Sequence, residues 1–252
     1  EYLVTAHYDT PACLPFPNLI TPCNLLPFLG YQFLVVLFMF AFMGIGGLVA
    51  YVFTKDGFIA YWTAYMLIWV FLILMMIGPA NKHNANDNTS GVVSVLEIAK
   101  SMPEANRNKV CFVLFDLEEA GLIGSGSYRK AHKKATEHQI ILNLDCVGDG
   151  NELMLFPTKK VLKDVNRMNQ LRSVCGTWGE KSIAIREKGF SYYPSDQKNF
   201  PYGVGIAAFR RSKWAGLYCS RIHTYKDTIL EETNVNILRA ALTTFICCDE
   251  VN

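Results

Sequence analysis

The eight cysteines of this sequence lack any C-x-x-C spacing, and Cys111 and Cys146 lie in apolar, strand-like runs. Free cysteine in such a run behaves as a small hydrophobic residue, so this distribution favours a reducing compartment over a disulfide framework. An excess of charge of one sign is also lacking, because 24 basic and 22 acidic residues leave a formal net charge of +2. A charge this small does not indicate nucleic acid or another polyanion as a partner.

Repeats, low-complexity tracts, an initiator methionine and a signal peptide are absent from the 252 residues. The sequence begins at Glu1, inside a strand-like run, so we expect it to be a longer chain truncated at its N-terminus. Its length provides for one large domain or two small ones with an ample core.

Charged residues are missing from two long runs, Phe28–Phe53 and Phe58–Ala80. Each run exceeds the ~20 residues that cross a bilayer as a helix. Only the polar turn Thr54–Gly57 separates them, and it is flanked, as at a membrane interface, by Tyr51, Tyr61, Trp62 and Tyr65. The pattern predicts a transmembrane hairpin whose two ends lie on the same side. A pair of buried core helices is the alternative.

The hairpin divides the sequence into two expected parts. Residues 1–23 and 81–252 would form one discontinuous domain, and residues 24–80 an insertion that meets the lipid bilayer through residues 28–80. Prolines 11, 15, 17, 22 and 27 predict irregular structure before the first span. The turn carries one lysine, whereas Lys82 and many further Lys and Arg residues lie on the side of the domain. This asymmetry predicts that the domain faces the cytoplasm.

The stretch from Lys109 to Ser125 contains the densest chemical signal. It predicts a buried strand, Val110–Phe115, that ends in an acidic cluster of Asp116, Glu118 and Glu119. Ligands of open α/β sheets bind beyond the carboxyl ends of the strands, where paired carboxylates can ligate a cation and move protons. Taken alone, the two glutamates are more typical of the solvated first turn of a helix, where acidic residues suit the helix dipole.

Other segments alternate between the strand and helix patterns. Strands are predicted at Glu1–His7, Gln139–Asp145, Glu152–Phe156 and Gly205–Phe209, and helices at Gly91–Met102, Tyr128–Lys134, Lys160–Val174 and Asn234–Cys248. Loops or irregular segments are expected at 81–90, 175–205 and 221–228. Such alternation predicts an α/β/α sandwich around a mixed, largely parallel central sheet.

Potential metal ligands follow several of these elements. They are His7 with Asp9, Asp87, Glu118 with Glu119, Asp145, and His223 in a late loop. Imidazole and carboxylate ligands suit zinc with a water molecule in an open position. Five ligands exceed the need of one catalytic zinc, but they fit two ions that share a bridging carboxylate.

Five segments carry a resemblance to a known family: HYD at 7–9, NDNTSG at 86–91, DLEEAGLIGS at 116–125, NLDCVG at 143–148 and IHTYKDT at 222–228. In this order and spacing they resemble the two-zinc aminopeptidases (metallopeptidase clan MH, family twenty-eight), a family that also contains glutamate carboxypeptidase and glutaminyl cyclase. The resemblance covers residues 1–10 and 81–252. A sixth segment, SDQKNF at 195–200, resembles a family motif in which Gln197 replaces the usual histidine.

The resemblance implies a role for each matching residue. Asp87 would bridge two zinc ions, His7 and Asp145 would complete one site, and Glu119 and His223 the other. Glu118 would be the general base that activates the water and returns the proton to the leaving amine. Without binding a metal themselves, Asp9 would orient His7, and Asp227 would play a similar part near His223.

Two features depart from the family pattern. Gln197 stands near the expected substrate cleft, which leaves the substrate preference open. The hairpin occupies the interval between His7 and Asp87, where relatives have a short loop. His83 lies in this interval too and is an alternative ligand to His7, whereas His132 and His138 are expected to be solvated.

The expected function is therefore that of a membrane-tethered zinc exopeptidase, an aminopeptidase acting on peptides. The alternatives are a single-zinc glutaminyl cyclase and a non-catalytic membrane scaffold of the same fold. The number of bound zinc ions, two, one or none, separates the three.

Overall fold

The computed structural model describes residues 1–14 and 18–248. Within these ranges the strands are β1 Tyr2–His7, β2 Val110–Phe115, β3 Ile140–Leu144, β4 Glu152–Pro157, β5 Gly176–Trp178, β6 Lys181–Ile185, β7 Gly203–Ser212 and β8 Gly216–Tyr218. The α-helices are α1 Leu25–Thr54, α2 Gly57–Ile77, α3 Ser90–Ser101, α4 Ile123–Ala131, α5 Lys159–Lys163, α6 Val165–Ser173 and α7 Glu232–Cys247.

The strands form one mixed sheet in the order β2-β1-β3-β7-β4-β6-β5, with β8 paired to β7. Strands β2, β1, β3 and β7 run parallel, as do β4 and β6, whereas β4 is antiparallel to β7. This confirms the predicted mixed, largely parallel sheet. In the register, His7 lies beside Phe115 and Thr5 beside Asn143, so β1, β2 and β3 end at the same edge. Residues that follow these three strands are thereby brought together.

Two apolar layers cover the centre of the sheet. On one face, Tyr2 and Val4 of β1 belong to a buried cluster with Ile98 of α3 and Leu238 and Phe245 of α7. On the other face, Leu3 is buried with Phe115, Ile141 and Phe200, and Tyr128 of α4 packs against them. Because alternate residues of a strand point to opposite faces, the wholly buried β1 requires a layer on both sides. The helices supply both layers, which gives the expected sandwich.

Helices α1 and α2 form an antiparallel hairpin with an apolar, exposed surface. Lys55 and Asp56 make the turn: Lys55 has φ 56°, and Asp56 Oδ1 accepts the N–H of Phe58 at 2.8 Å. At Gly47 the helices approach so closely that an added Cβ would lie 3.1 Å from the Cβ of Ala64. Both helices are long and apolar enough to cross a membrane, and only 6% of the most apolar window of each is buried. That exposure is not expected of a pair of buried core helices.

The base of the hairpin is joined to the segment that follows the carboxyl end of β1. Ala12 and Ala80 form an isolated β-bridge, Cys13 N–H donates to the carbonyl of Pro79 at 2.8 Å, and Asn81 N–H donates to that of Pro11 at 3.2 Å. On α1, Phe28 packs against the ring of Phe190 at 5.5 Å. The start and the end of the hairpin are therefore both attached to the domain.

Several sequence-based expectations were wrong in their details. Strand β2 is an edge strand with only Phe115 buried, and its Cys111 is exposed, because composition does not tell an edge strand from a central one. The segment expected to be irregular between 175 and 205 contains β5 and β6, and β8 was not predicted either. These strands have three to five residues, which is too short for a periodic pattern to show.

Helix boundaries also differ from the expectations. The single helix predicted at 160–174 is broken at Asp164, whose side chain accepts the N–H of Arg167 and so begins α6. The helix predicted at 128–134 begins earlier, at Ile123. Pro27 lies in the first turn of α1, where its missing N–H has no helical partner to lose. The polar segment before α3 is not helical at Asp87 and Asn88, whose backbone angles are φ -113°, ψ 92° and φ -133°, ψ 38°, so the loop expected there is found.

Candidate metal centre

Six chemically active side chains meet at the carboxyl edge of the sheet. His7 is the last residue of β1, Asp145 follows β3, and Glu118 and Glu119 follow β2 after a short turn. Asp87 comes from the turn that precedes α3, and His223 from the loop after β8. Parallel neighbours that end in register bring the first four together, and two loops add the others.

Asp87 is the centre of this cluster, because its two carboxylate oxygens face different histidines. Oδ1 lies 3.3 Å from Nε2 of His7, and Oδ2 lies 3.1 Å from Nε2 of His223. Nε2 of His7 is also 3.5 Å from Oδ1 of Asp145, and Nε2 of His223 is 3.5 Å from Oε1 of Glu119. Two triads therefore share Asp87, and in each of them the potential ligand atoms lie within 4.8 Å of one another.

The turn that carries Asp87 is fixed by side chains on both of its sides. Asp227 accepts the N–H of Asn86 at 2.8 Å and the N–H of Asp87 at 2.9 Å through its two carboxylate oxygens. Oδ1 of Asn86 accepts the N–H of Gly148. Asn88 donates to the carbonyl of Leu144 at 3.1 Å, and its Oδ1 accepts the N–H of Cys146 at 3.1 Å. The position of Asp87 is thus tied to the end of β3.

Asp9 connects the histidine of β1 to the glutamate pair after β2. One carboxylate oxygen lies 3.4 Å from Nδ1 of His7, and the two oxygens accept the N–H groups of Glu118 and Glu119 at 3.1 Å each. A single side chain thereby orients the imidazole and the backbone of both glutamates. Such contacts fix the orientation of side chains that bind a metal.

Left-handed backbone conformations are concentrated around the cluster. Leu117 (φ 57°) precedes Glu118, Cys146 (φ 56°) follows Asp145, and His223 itself has φ 60°. L-residues rarely adopt this conformation, and it persists where several contacts of the surrounding structure hold the backbone in place. Here it turns the acidic and imidazole side chains toward one point.

The cluster carries more negative charge than its burial allows without compensation. Burial, followed by the charge of Asp145, raises the pKa of Glu118 to about 9, and burial, followed by the charge of Asp87, raises that of Glu119 to about 8. For Asp87, burial opposes ionisation, but His223 and His7 outweigh it and lower the pKa. Burial likewise opposes the charge of His223, yet Asp87 raises its pKa to about 9. A buried cluster of carboxylates with these shifted pKa values favours the binding of a positive charge among them.

These residues fit the binding of zinc ions. The donor atoms around a tetrahedral zinc ion, at ~2.0–2.1 Å from it, are about 3.3 Å apart. The four nitrogen-to-oxygen separations within the two triads, 3.1–3.5 Å, match that spacing. Nitrogen and oxygen donors are the types that zinc accepts, and the shared carboxylate suits a pair of ions.

The structure brings together all five predicted ligands and Glu118, while the other named residues have different surroundings. Asp9 contacts His7 as expected, whereas Asp227 holds the backbone of Asp87 instead of the expected neighbour His223. The alternative ligand His83 is exposed and belongs to none of the potential metal groups found among the described residues. Gln197 is buried, where it donates to the carbonyl of Tyr193 and accepts from Asn143.

Sequence reasoning missed the residues that position the site. Asn86 and Asn88 flank Asp87 directly, so the three-residue run N-D-N was the available signal. Asp196 is fully buried, and its negative charge is one cause of the raised pKa of Glu118. No local pattern shows that a carboxylate so far along the chain approaches the glutamate pair.

Comparison with known proteins adds a family to this geometry. A family model described as peptidase family M28 matches residues 74–245, more than half of the chain. Among solved structures, the zinc aminopeptidase BSAP from Bacillus subtilis is 21% identical with a TM-score of 0.48, over 67% of this chain and 44% of that one. An aminopeptidase from Aneurinibacillus sp. strain AM-1 is 24% identical with a TM-score of 0.45, over 64% and 39%.

The chain therefore spans less than half the length of these solved structures. Comparison with curated proteins finds no match.

Proposed function

The chain belongs to peptidase family M28, and on that basis we propose that it is a membrane-tethered, zinc-dependent exopeptidase, an aminopeptidase that removes N-terminal residues from peptides. The observation that carries this proposal is the sharing of Asp87 between two histidine–carboxylate triads. Residues 1–23 and 81–252 would be the discontinuous peptidase domain, and residues 24–80 its hairpin insertion.

The proposed roles follow from the positions of the side chains. His7, Asp87 and Asp145 would hold one zinc ion, and Asp87, Glu119 and His223 a second. Zinc bound there would lower the pKa of a coordinated water molecule and polarise the scissile carbonyl group.

Glu118 could form a further group with His7 and Glu119, but it lies in neither triad that contains Asp87, and we assign it the proton transfer for that reason. Its carboxylate would take a proton from the attacking water and give it to the leaving amine. Asp9 would act as a positioning residue, since it contacts His7 and the N–H groups of both glutamates.

The hairpin would tether the peptidase domain to a bilayer. Its two helices have mean hydropathies of 2.5 and 2.1 in their most apolar windows, and they present apolar side chains outward. Because the helices are antiparallel, the domain would lie against the membrane on the side opposite the turn at Lys55 and Asp56. The single lysine of the turn supports a cytoplasmic domain.

A zinc count and a chelation experiment on the purified chain in detergent test the proposal. We expect two zinc ions per chain, loss of aminoacyl-amide hydrolysis in excess chelator, and recovery when zinc is returned. His7→Ala should lose zinc, whereas His83→Ala, at an exposed histidine of the same region, should keep it. One zinc ion per chain would favour glutaminyl cyclase chemistry. The absence of bound zinc would favour a non-catalytic scaffold. Undiminished turnover in excess chelator would contradict the assignment of the metal.

A further inference from the structure

A cavity of about 380 Å³ is lined both by the candidate metal centre and by the hairpin. Glu119 and His223 contribute to one part of its wall. Tyr31 and Val35 of α1 and Met75 of α2 contribute to another. Most of the remaining lining is apolar and comes from the irregular segment between β1 and α1. The insertion is therefore part of a space that opens onto the proposed zinc ligands.

Hydrogen bonds tie this wall to the metal centre. The hydroxyl group of Tyr31 donates to Oδ1 of Asn18 at 3.4 Å, and Nδ2 of Asn18 donates to the carbonyl of Ile222 at 3.2 Å. Leu14 N–H donates to the carbonyl of His223 at 2.9 Å. Helix α1 is thus connected, through one intermediate side chain, to the residue that precedes His223. A wall so attached keeps a defined distance from the metal ligands.

In a membrane crossed by the proposed hairpin, its part of the wall would lie at the boundary nearest the domain. Val35 is twenty residues from the turn at Lys55, which at 1.5 Å per residue is about 30 Å along the helix, the thickness of a hydrocarbon core. Met75 is eighteen residues from the start of α2, or about 27 Å. With the hairpin in a bilayer as proposed above, both side chains would be level with the membrane surface on the side of the domain. A ligand in the cavity would meet the domain and the interface together.

We propose that this cavity receives a large apolar side chain of the substrate, on a residue beside the scissile bond, and that the hairpin is thereby a specificity element as well as an anchor. The inference rests on the proposed peptidase function and adds the substrate class, namely peptides with a bulky apolar residue at the cleavage site. A charged side chain in this position would lose water against Val35 and Met75 without gaining an opposite charge from them. An apolar side chain gains by the same burial.

The test is the binding of dipeptide analogues whose scissile amide is replaced by a CH₂–NH link, so that they cannot be hydrolysed. Analogues with Leu, Phe, Ala or Lys at each position are titrated into the zinc-loaded full chain by calorimetry. The parent chain should bind the best Leu or Phe analogue about 10-fold or more tighter than its Ala and Lys counterparts. Val35→Trp, which fills the cavity, should remove this preference. The matched control Val36→Trp, at a neighbouring residue that is 44% exposed, should preserve it.

A second pair of variants, on α2, ensures that the conclusion does not depend on the correct folding of a single variant protein. Met75→Trp should act like Val35→Trp, and Leu74→Trp, at a residue that is 47% exposed, should act like the parent chain. Equal affinity for apolar, small and charged analogues, or equal effects of lining and control substitutions, would overturn the inference. A preference that Val35→Trp removes, in a chain that hydrolyses no peptide, would support the binding site and refute the peptidase function. Hydrolysis of peptides without such a preference would support the peptidase function and refute the binding site.

Discussion

Replacing Glu118 by glutamine should stabilise the metal-free protein while removing most of its activity. The pKa of Glu118 is raised to about 9, first by burial and then by the charge of Asp145. In the unfolded chain a glutamate titrates near pH 4.5, so at pH 7 the metal-free protein must take up a proton at this position as it folds. That uptake costs about 3 kcal/mol at 1.36 kcal/mol per pH unit.

The sign of the pH dependence follows from the direction of the shift. A carboxyl group whose pKa is higher in the folded state loses stability as pH rises from its unfolded value toward its folded value. The stability difference between Glu118→Gln and the parent chain should therefore be close to zero below pH 4.5, grow through neutral pH and level off near pH 9. At pH 7 it should raise the Tm of the metal-free protein by roughly 6–12 °C.

The zinc-loaded protein supplies the second half of the experiment. Glutamine keeps the shape of the side chain but cannot accept a proton, so turnover should fall about 10²–10⁴-fold while both zinc ions remain. Glu119→Gln should instead lose zinc. Thermal unfolding at pH 5, 7 and 9 with and without chelator, zinc analysis and initial rates measure all these quantities. A metal-free Glu118→Gln protein no more stable than the parent at pH 7 would refute the electrostatic argument. Loss of zinc from Glu118→Gln and not from Glu119→Gln would exchange the roles of general base and zinc ligand.

Four further predictions concern the frame around the site. Asp227→Asn keeps one acceptor for the N–H groups of Asn86 and Asp87 but loses the charge, and zinc affinity should fall about 10–100-fold in a metal titration. Gly91→Ala puts a Cβ 2.4 Å from the carbonyl of Leu144 and should destabilise the fold by about 1–3 kcal/mol in denaturant unfolding, whereas Gly126→Ala, whose nearest neighbour is at 3.5 Å, should not. In intact cells an impermeant thiol reagent should label Asp56→Cys but not Lys134→Cys, because the turn would face outward and the domain the cytoplasm. Labelling of Lys134→Cys alone would show the opposite orientation. Joining residues 23 and 81 by a short polar loop should give a soluble, zinc-binding domain, and its continued fractionation with membranes would disprove the anchor.

Much of the fold could be predicted because its signals are local. Strands β1, β3 and β4 are largely apolar segments of five or six residues, and α7 carries its apolar residues at helical spacing, so each element is visible in its own segment. The two uncharged runs likewise predict the hairpin from length and composition. The family resemblance then adds an order to the site residues that no single segment contains.

Other features depend on which segments become neighbours, and the sequence does not show that. Nothing within Val110–Phe115 indicates that the strand has a neighbour on one side only. The short strands β5 and β8 exist because a partner strand satisfies their backbone groups, not because of their own composition.

The sequence by itself determined the types of the longer elements, the uncharged spans and the residues able to bind a metal, since these follow from local periodicity and side-chain chemistry. Only the tertiary structure decided that Asp87 faces His7 with one oxygen and His223 with the other. It also decided that Asp227 holds the turn at Asp87, and that Val35 and Met75 line the same cavity as Glu119. Distances between residues so far apart in the chain are set by packing of the whole sheet and its loops, which no local pattern encodes.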